Sequence, residues 1–112
     1  MREIKFRGKR IPNGQWVYGS LIEKPDSTEI LEFPFTWFVN NETVGQLTGL
    51  KDKNGRDIYE GDILYLFKHL NVEVYYENAM FYGGRTPLLG CIDNDDEIEV
   101  IGNIYDDIYL LK

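Results

Sequence analysis

The sequence predicts an all-β fold: a single small domain with a compact, barrel-like arrangement of short antiparallel strands. Short runs rich in Val, Ile, Phe, Tyr and Trp are separated by turn dipeptides such as Asn13-Gly14 and Asn54-Gly55. No window of ten or more residues has helical periodicity. Gly, Pro and Asn are scattered along the chain and not gathered at one boundary, so residues 1–112 are predicted to form one domain.

The first predicted hairpin joins a strand at residues 2–9 to a strand at residues 15–23. Because successive side chains of a strand point to opposite faces, the first strand places its charged side chains together, namely Glu3, Lys5, Arg7 and Lys9. Within the turn Pro12-Asn13-Gly14, the pair Asn13-Gly14 suits the positive φ angles that a tight hairpin turn demands. The two strands are therefore expected to pair antiparallel.

The segment from residue 30 to residue 39 carries the aromatic run Phe33-Pro34-Phe35-Thr36-Trp37-Phe38. Pro34 cannot donate a ladder hydrogen bond, which restricts this segment to an edge strand or a bulge. The period of two places Phe33, Phe35 and Trp37 on one face. We interpret these three residues as a candidate interface, since exposed aromatic side chains on an edge strand are either covered or used for association. Ordinary packing in the core is the alternative.

Later strands follow from turn signals. The run Asp52-Lys53-Asn54-Gly55 is typical of a hairpin turn leading to Ile58-Tyr59, and Glu60-Gly61-Asp62 then turns the chain into an apolar strand at 63–67. Further strands are predicted at 72–77, 79–82, 88–92, 97–102 and 104–111. The total predicted number of strands is eight to ten.

The charge of the chain disfavours nucleic acid as a partner. Nineteen Asp and Glu against twelve Lys and Arg give a formal net charge of −7, the wrong sign for affinity that comes from neutralising phosphates. The charge is uneven, because residues 1–10 carry +4 and the remainder carries −11. A small β-barrel nucleic-acid binder that uses Lys5, Arg7 and Lys9, with neighbouring aromatic rings as base platforms, stays open as an alternative.

No motif predicts catalysis, a metal or a cofactor. Cys91 and His69 are the only residues of their kinds, and Cys91 lies in an apolar run where a free cysteine packs as a small hydrophobe. The run Asp93–Glu97 lacks calcium-loop spacing and is interpreted as a solvated turn, with a weak cation site as the alternative. Gly83-Gly84-Arg85 has neither the spacing nor the helix of a phosphate-binding loop. We expect a protein that is not an enzyme.

The cytoplasm is the expected location. No stretch approaches the ~20 apolar residues that span a bilayer, and the first residues alternate charged with apolar side chains, unlike an export signal. A single cysteine fits a reducing compartment.

Three blocks of sequence together resemble the YopX family of phage and prophage proteins. These blocks are the opening Arg2–Lys9 with Trp16–Gly19, the central Gly45–Gly55 with Ile58–Ile63, and the closing Val100–Tyr105. The resemblance implies a mostly β, barrel-like fold encoded in bacteriophages and prophages, with no established molecular activity. It supplies no catalytic or binding residues, and residues 68–98 match nothing in the pattern.

The leading hypothesis is a non-enzymatic accessory protein of a phage or prophage that binds a host or phage protein and self-associates as a homo-oligomer. A second hypothesis is an acidic inhibitor that presents carboxylates to a basic, nucleic-acid-binding host protein. A third is a small hydrolase whose site the sequence does not reveal. Salt dependence separates the first two, because a complex driven by carboxylates weakens steeply with ionic strength.

Overall fold

The computed structural model describes residues 4–66, 70–84, 86–88 and 98–111. The chain divides into two compact units, residues 1–47 and residues 48–112. The prediction of a single domain stays a prediction. The predicted all-β class is confirmed, since antiparallel strands dominate both units. Among the described residues neither sheet closes into a barrel, because strand pairing in each ends at two edge strands.

The first unit is built on a sheet with strand order β4-β3-β2-β1-β5. Its elements are β1 (Phe6–Lys9), β2 (Trp16–Lys24), β3 (Ser27–Glu32), β4 (Phe35–Phe38), a 3₁₀ helix (Asn41–Thr43) and the start of β5 (Gly45–Lys51). The predicted hairpin of the first two strands is confirmed, with an antiparallel register from Phe6 opposite Gly19 to Lys9 opposite Trp16.

The core of this unit lies on the face of the sheet that carries Phe6. Val17, Ile30 and Val39 are buried there. Half-buried side chains pack against them: Phe6, Leu21, Trp37 and Val44. By the alternation of strand side chains, Trp16 and Tyr18 lie on the opposite face, together with the charged side chains of β1.

The segment 30–39 differs from its prediction, because it contains two strands and not one. The chain reverses at Phe33-Pro34, where the peptide bond is cis, and Glu32 of β3 pairs with Phe35 of β4. The fixed φ and missing N–H of proline suit a turn position. Phe35 and Trp37 share a face of β4, but the prediction that Phe33 lies on the same strand is wrong. The prediction of an edge strand is confirmed for β4.

The second unit contains a sheet with strand order β10-β9-β8-β7-β11, and the end of β5 pairs with β6. Its elements are β6 (Asp57–Tyr59), β7 (Asp62–Leu66), β8 (Leu70–Glu77), β9 (Met80–Gly83), β10 (Thr86–Pro87), β11 (Glu99–Asn103) and a 3₁₀ helix (Ile108–Leu111). A buried cluster forms its core: Ile58, Leu64, Leu66, Val74, Phe81, Leu88, Ile98 and Val100.

The predicted strand at 104–111 is wrong. The Asn103 Oδ1 atom accepts hydrogen bonds from the backbone N–H groups of Tyr105 and Asp106, both at 3.0 Å, and this local bonding turns the chain. The 3₁₀ helix follows at once. The strand predicted at 88–92 falls largely outside the described residues.

The turn at Gly55 makes a direct stability prediction. Gly55 has φ +80°, and an added Cβ would meet no atom of the described residues within 4 Å, so backbone strain is the cost that these residues show for a side chain there. We expect Gly55→Val to lower the free energy of unfolding by about 1–3 kcal/mol, because a β-branched residue disfavours positive φ. Gly55→Asn is the matched control and should retain most of the stability, since Asn tolerates this region. Equal urea midpoints for Gly55→Val and the wild type would contradict the expectation.

Candidate functional site

The β3–β4 hairpin exposes aromatic side chains at the edge of the first sheet. Phe33, in the turn, is 90% exposed, and Phe35 and Phe38 are each 56% exposed. Trp37 is half-buried and packs against the core of its unit. The structure therefore keeps Phe33 and Phe35 at the surface and uses Trp37 partly as a core residue.

Two charged side chains lie against Trp37. The Phe35 and Trp37 rings stack with their centroids 5.3 Å apart and an interplanar angle of 28°. The Arg10 Cζ atom lies 4.1 Å from the centre of the Trp37 ring, within cation–π distance. The Trp37 indole N–H donates a hydrogen bond of 3.2 Å to Glu32 Oε1. We call Arg10, Glu32, Phe33, Phe35 and Trp37 the hairpin patch.

Backbone contacts after β1 place Arg10 beside the hairpin. Arg10 and Val39 form an isolated antiparallel bridge. On either side of it, Ile11 N–H donates to the Phe38 carbonyl at 3.1 Å and Asn40 N–H donates to the Lys9 carbonyl at 2.8 Å. The sequence prediction missed Arg10 and Glu32. One pattern in the sequence could have identified Arg10. The alternation of side chains along β1 places Arg10 on the face of Phe6 and Gly8 and not on the face of Arg7 and Lys9.

The basic side chains of β1 are engaged within their own unit. Arg7 is only 4% exposed, and its Cζ atom lies 4.6 Å from the centre of the Trp16 ring. The Lys9 Nζ atom lies 5.6 Å from the same centre. A buried guanidinium cannot reach a phosphate, and a ring contacted by two cations is a poor platform for a base. For Arg7 and Lys9, this geometry argues against the alternative of a nucleic-acid surface on the first strand.

Asp52, predicted as a turn residue, is a buried hub of hydrogen bonds. Its Oδ1 atom accepts from the N–H groups of Asn54 and Arg56, each at 2.9 Å, and its Oδ2 atom accepts from Val100 N–H at 3.0 Å. Burial alone raises the pKa of this carboxyl, but the three N–H donors and the Arg56 charge outweigh it and lower the pKa. The geometry is that of a structural anchor.

Among the residues described, no group of three or more His, Cys, Asp or Glu side chains is arranged to hold a metal ion. His69, Arg85, Cys91 and the acidic run 93–97 lie outside the described residues. Within the described part of the chain, no helix has the length and apolar character needed to cross a bilayer.

A comparison with solved structures and a comparison with family models agree with this fold, whereas a comparison with curated proteins returns no match. The crystal structure of protein EF1440 from Enterococcus faecalis superimposes with a TM-score of 0.64 at 23% sequence identity, covering 100% of both chains, which shows a shared fold. The model of the YopX protein family matches residues 5–112. Because this match covers nearly the whole sequence, the chain belongs to the YopX family.

Proposed function

We propose that this YopX-family protein is a non-enzymatic, protein-binding module of a phage or prophage that acts in the bacterial cytoplasm and self-associates through the hairpin patch. The exposure of Phe33 and Phe35 beside an edge strand is the observation that supports the proposal. Exposed edges and contiguous aromatic surface both favour association with another protein surface. The phage setting follows from the family resemblance.

The chemistry of the hairpin patch suits protein recognition. Trp and Arg dominate the binding energy of many protein interfaces, because they combine large contact area with fixed hydrogen-bonding groups. Here Trp37 is anchored in the core on one side and carries Arg10 and Phe35 on its ring. A partner would therefore meet a surface that is already ordered, which reduces the entropy lost on binding.

The distribution of charge favours contact through the first unit. Residues 1–47 hold six Lys and Arg and six Asp and Glu, whereas residues 48–112 hold six Lys and Arg and thirteen Asp and Glu. The excess negative charge therefore belongs entirely to the second unit. Two copies that meet through their hairpin patches bring neutral units together, and the remaining repulsion is screened within about 8 Å at physiological salt.

The same asymmetry supports a second candidate function, that of an acidic inhibitor. The net charge of −7 on residues 48–112 could present carboxylates to a basic, nucleic-acid-binding partner. Such a complex would weaken steeply as salt is raised, whereas contact through the aromatic hairpin would change little. Partner binding measured at low and high salt separates the two functions.

Self-association is tested by light scattering coupled to size exclusion. The wild type is expected to be larger than a monomer, and Phe33→Ser/Phe35→Ser to be a folded monomer, because the change removes exposed aromatic surface and leaves Trp37 in the core. The matched control is Ile108→Ser/Tyr109→Ser, which removes two exposed apolar side chains from the second unit and should leave assembly unchanged. A wild type that is monomeric at every concentration would reject self-association.

A further inference from the structure

We infer that the self-association contact is a two-fold contact in which the Arg10 guanidinium of each copy meets the Glu32 carboxylate of the other, beside the stacked Phe35 and Trp37 rings. The inference rests on the proposed function and names the occupant of the hairpin patch as a second copy of the same patch.

The Arg10 guanidinium packs on Trp37 but donates no side-chain hydrogen bond within the described residues. Its Cζ atom lies over the Trp37 ring, and its buried Nε atom has no hydrogen-bond partner among the described residues. Within the same described ranges, Arg10 forms no ion pair with a carboxylate. A guanidinium presents five N–H donors in a rigid fork that matches a carboxylate. The buried Nε atom is out of reach of a second chain, so the inferred contact uses the two terminal NH₂ groups of Arg10, which form no hydrogen bond within the described residues.

Glu32 supplies the complementary group on the same indole. Its side chain is exposed, and its Oε1 atom accepts the Trp37 N–H at 3.2 Å. The Oε2 atom accepts no hydrogen bond from the described part of the chain. Trp37 thus contacts the Arg10 guanidinium with its ring and the Glu32 carboxylate with its N–H. No nitrogen of Arg10 lies within 4.0 Å of a Glu32 carboxylate oxygen, so the two side chains form no ion pair with each other.

A surface with one fixed cation and one fixed anion is complementary to itself. In a two-fold contact, if one residue of the first copy contacts a different residue of the second copy, the same two residues also make the reciprocal contact, with the copies exchanged. Arg10 facing Glu32 across the axis therefore forms two equivalent ion pairs, and the patch as a whole carries no net charge. A partner of different sequence would have to supply both matching charges at the same spacing.

The exposed area indicates a weak, reversible dimer. Phe33 and Phe35, at 90% and 56% exposure, present roughly 300 Å² of aromatic surface per copy, taking about 200 Å² for each full side chain. Two copies then bury roughly 600 Å² of this aromatic surface, well below the roughly 1,200–2,000 Å² of stable specific complexes, so the dimer is a weak one. We therefore expect the dimer to form and dissociate reversibly as the protein concentration changes.

The test uses charge reversal in the full chain. Arg10→Glu leaves two carboxylates on each patch and Glu32→Arg leaves two guanidinium groups, so each variant alone should weaken dimerisation at least tenfold. An equimolar mixture should form a mixed dimer with wild-type affinity, since every contact again joins opposite charges. The readouts are sedimentation equilibrium and native mass spectrometry, which resolves the mixed dimer by mass. Glu23→Arg, an equal charge change at an exposed site outside the patch, should dimerise as the wild type does.

The outcomes are distinguishable. A mixed dimer formed by two variants that are each monomeric supports the inference and also shows that both variants fold. If both single variants dimerise like the wild type, the contact lies elsewhere, and the inference fails while self-association stands. If both are monomeric and their mixture is too, the Arg10–Glu32 pairing is wrong. If the wild type itself never dimerises, the proposed self-association fails.

Discussion

Asp52→Ala is expected to lower the free energy of unfolding by about 3 kcal/mol. The wild-type carboxylate is 6% exposed and accepts three backbone hydrogen bonds, two inside its own turn and one from Val100 in β11. Hydrogen bonds to a charged group contribute about 1.5–3 kcal/mol each, and burial of the charge offsets part of this gain. Alanine leaves the three N–H donors without this acceptor. Val100 N–H is itself buried, so its loss is the costliest.

Lowering the pH should remove the contribution of the Asp52 carboxylate to the free energy of unfolding. The pKa of Asp52 is lowered in the folded state, so its contribution to stability is present above the unfolded pKa of about 3.9 and is lost as pH falls through the folded pKa. Asp52→Asn removes this titration and places an amide NH₂ against a backbone N–H. The difference in unfolding free energy between wild type and Asp52→Asn should therefore shrink as pH falls from about 5 to below 4.

The measurement is urea denaturation followed by tryptophan fluorescence. Asp57→Ala is the matched control from the same hairpin: Asp57 pairs with Lys51 Nζ at 2.7 Å at a solvent-exposed position, where an ion pair contributes less than about 1 kcal/mol. Equal losses from Asp52→Ala and Asp57→Ala would show that Asp52 is not an anchor.

Gly19→Ala is expected to cost about 2–4 kcal/mol, for a steric reason. Gly19 lies in β2, where an added Cβ would overlap the Leu31 carbonyl oxygen of β3 and lie 2.8 Å from its carbonyl carbon. Both colliding atoms belong to the backbone, so no side-chain rotation relieves the clash, and β2 and β3 must separate locally. Because β3 leads into the hairpin patch, the variant should also weaken self-association.

The neighbouring Ser20→Ala is the matched control, because Ser20 lies on the same strand with an exposed side chain. It should change the free energy of unfolding by less than about 0.5 kcal/mol. Hydrogen exchange of the β2–β3 amides reports the local separation. A Gly19→Ala variant with wild-type urea midpoint and wild-type exchange would mean that β2 and β3 do not approach as closely as the structure shows.

Much of the fold follows from local chemistry. Asn13-Gly14 and Asp52–Gly55 predict turns because Gly tolerates positive φ and Asp and Asn bond to nearby backbone groups, and both turns form where predicted. The Asn13-Gly14 turn predicts the antiparallel pairing of β1 with β2. The composition of the aromatic run does not determine its structure, because Phe33-Pro34 fits an edge strand or a turn equally well. The pairing of Glu32 with Phe35 shows that Phe33-Pro34 is a turn.

The sequence predicts the all-β class, the positions of most turns, an edge strand within residues 30–39 and the family. The first three depend on residues close together in the chain, whereas the family depends on blocks of sequence along nearly its whole length. Only the three-dimensional structure shows that Asp52 accepts a hydrogen bond from Val100, 48 residues away, and that Arg10 and Glu32 each contact Trp37. Such contacts depend on which strands become neighbours and in what register, and a shift of one residue would move every side chain to the opposite face.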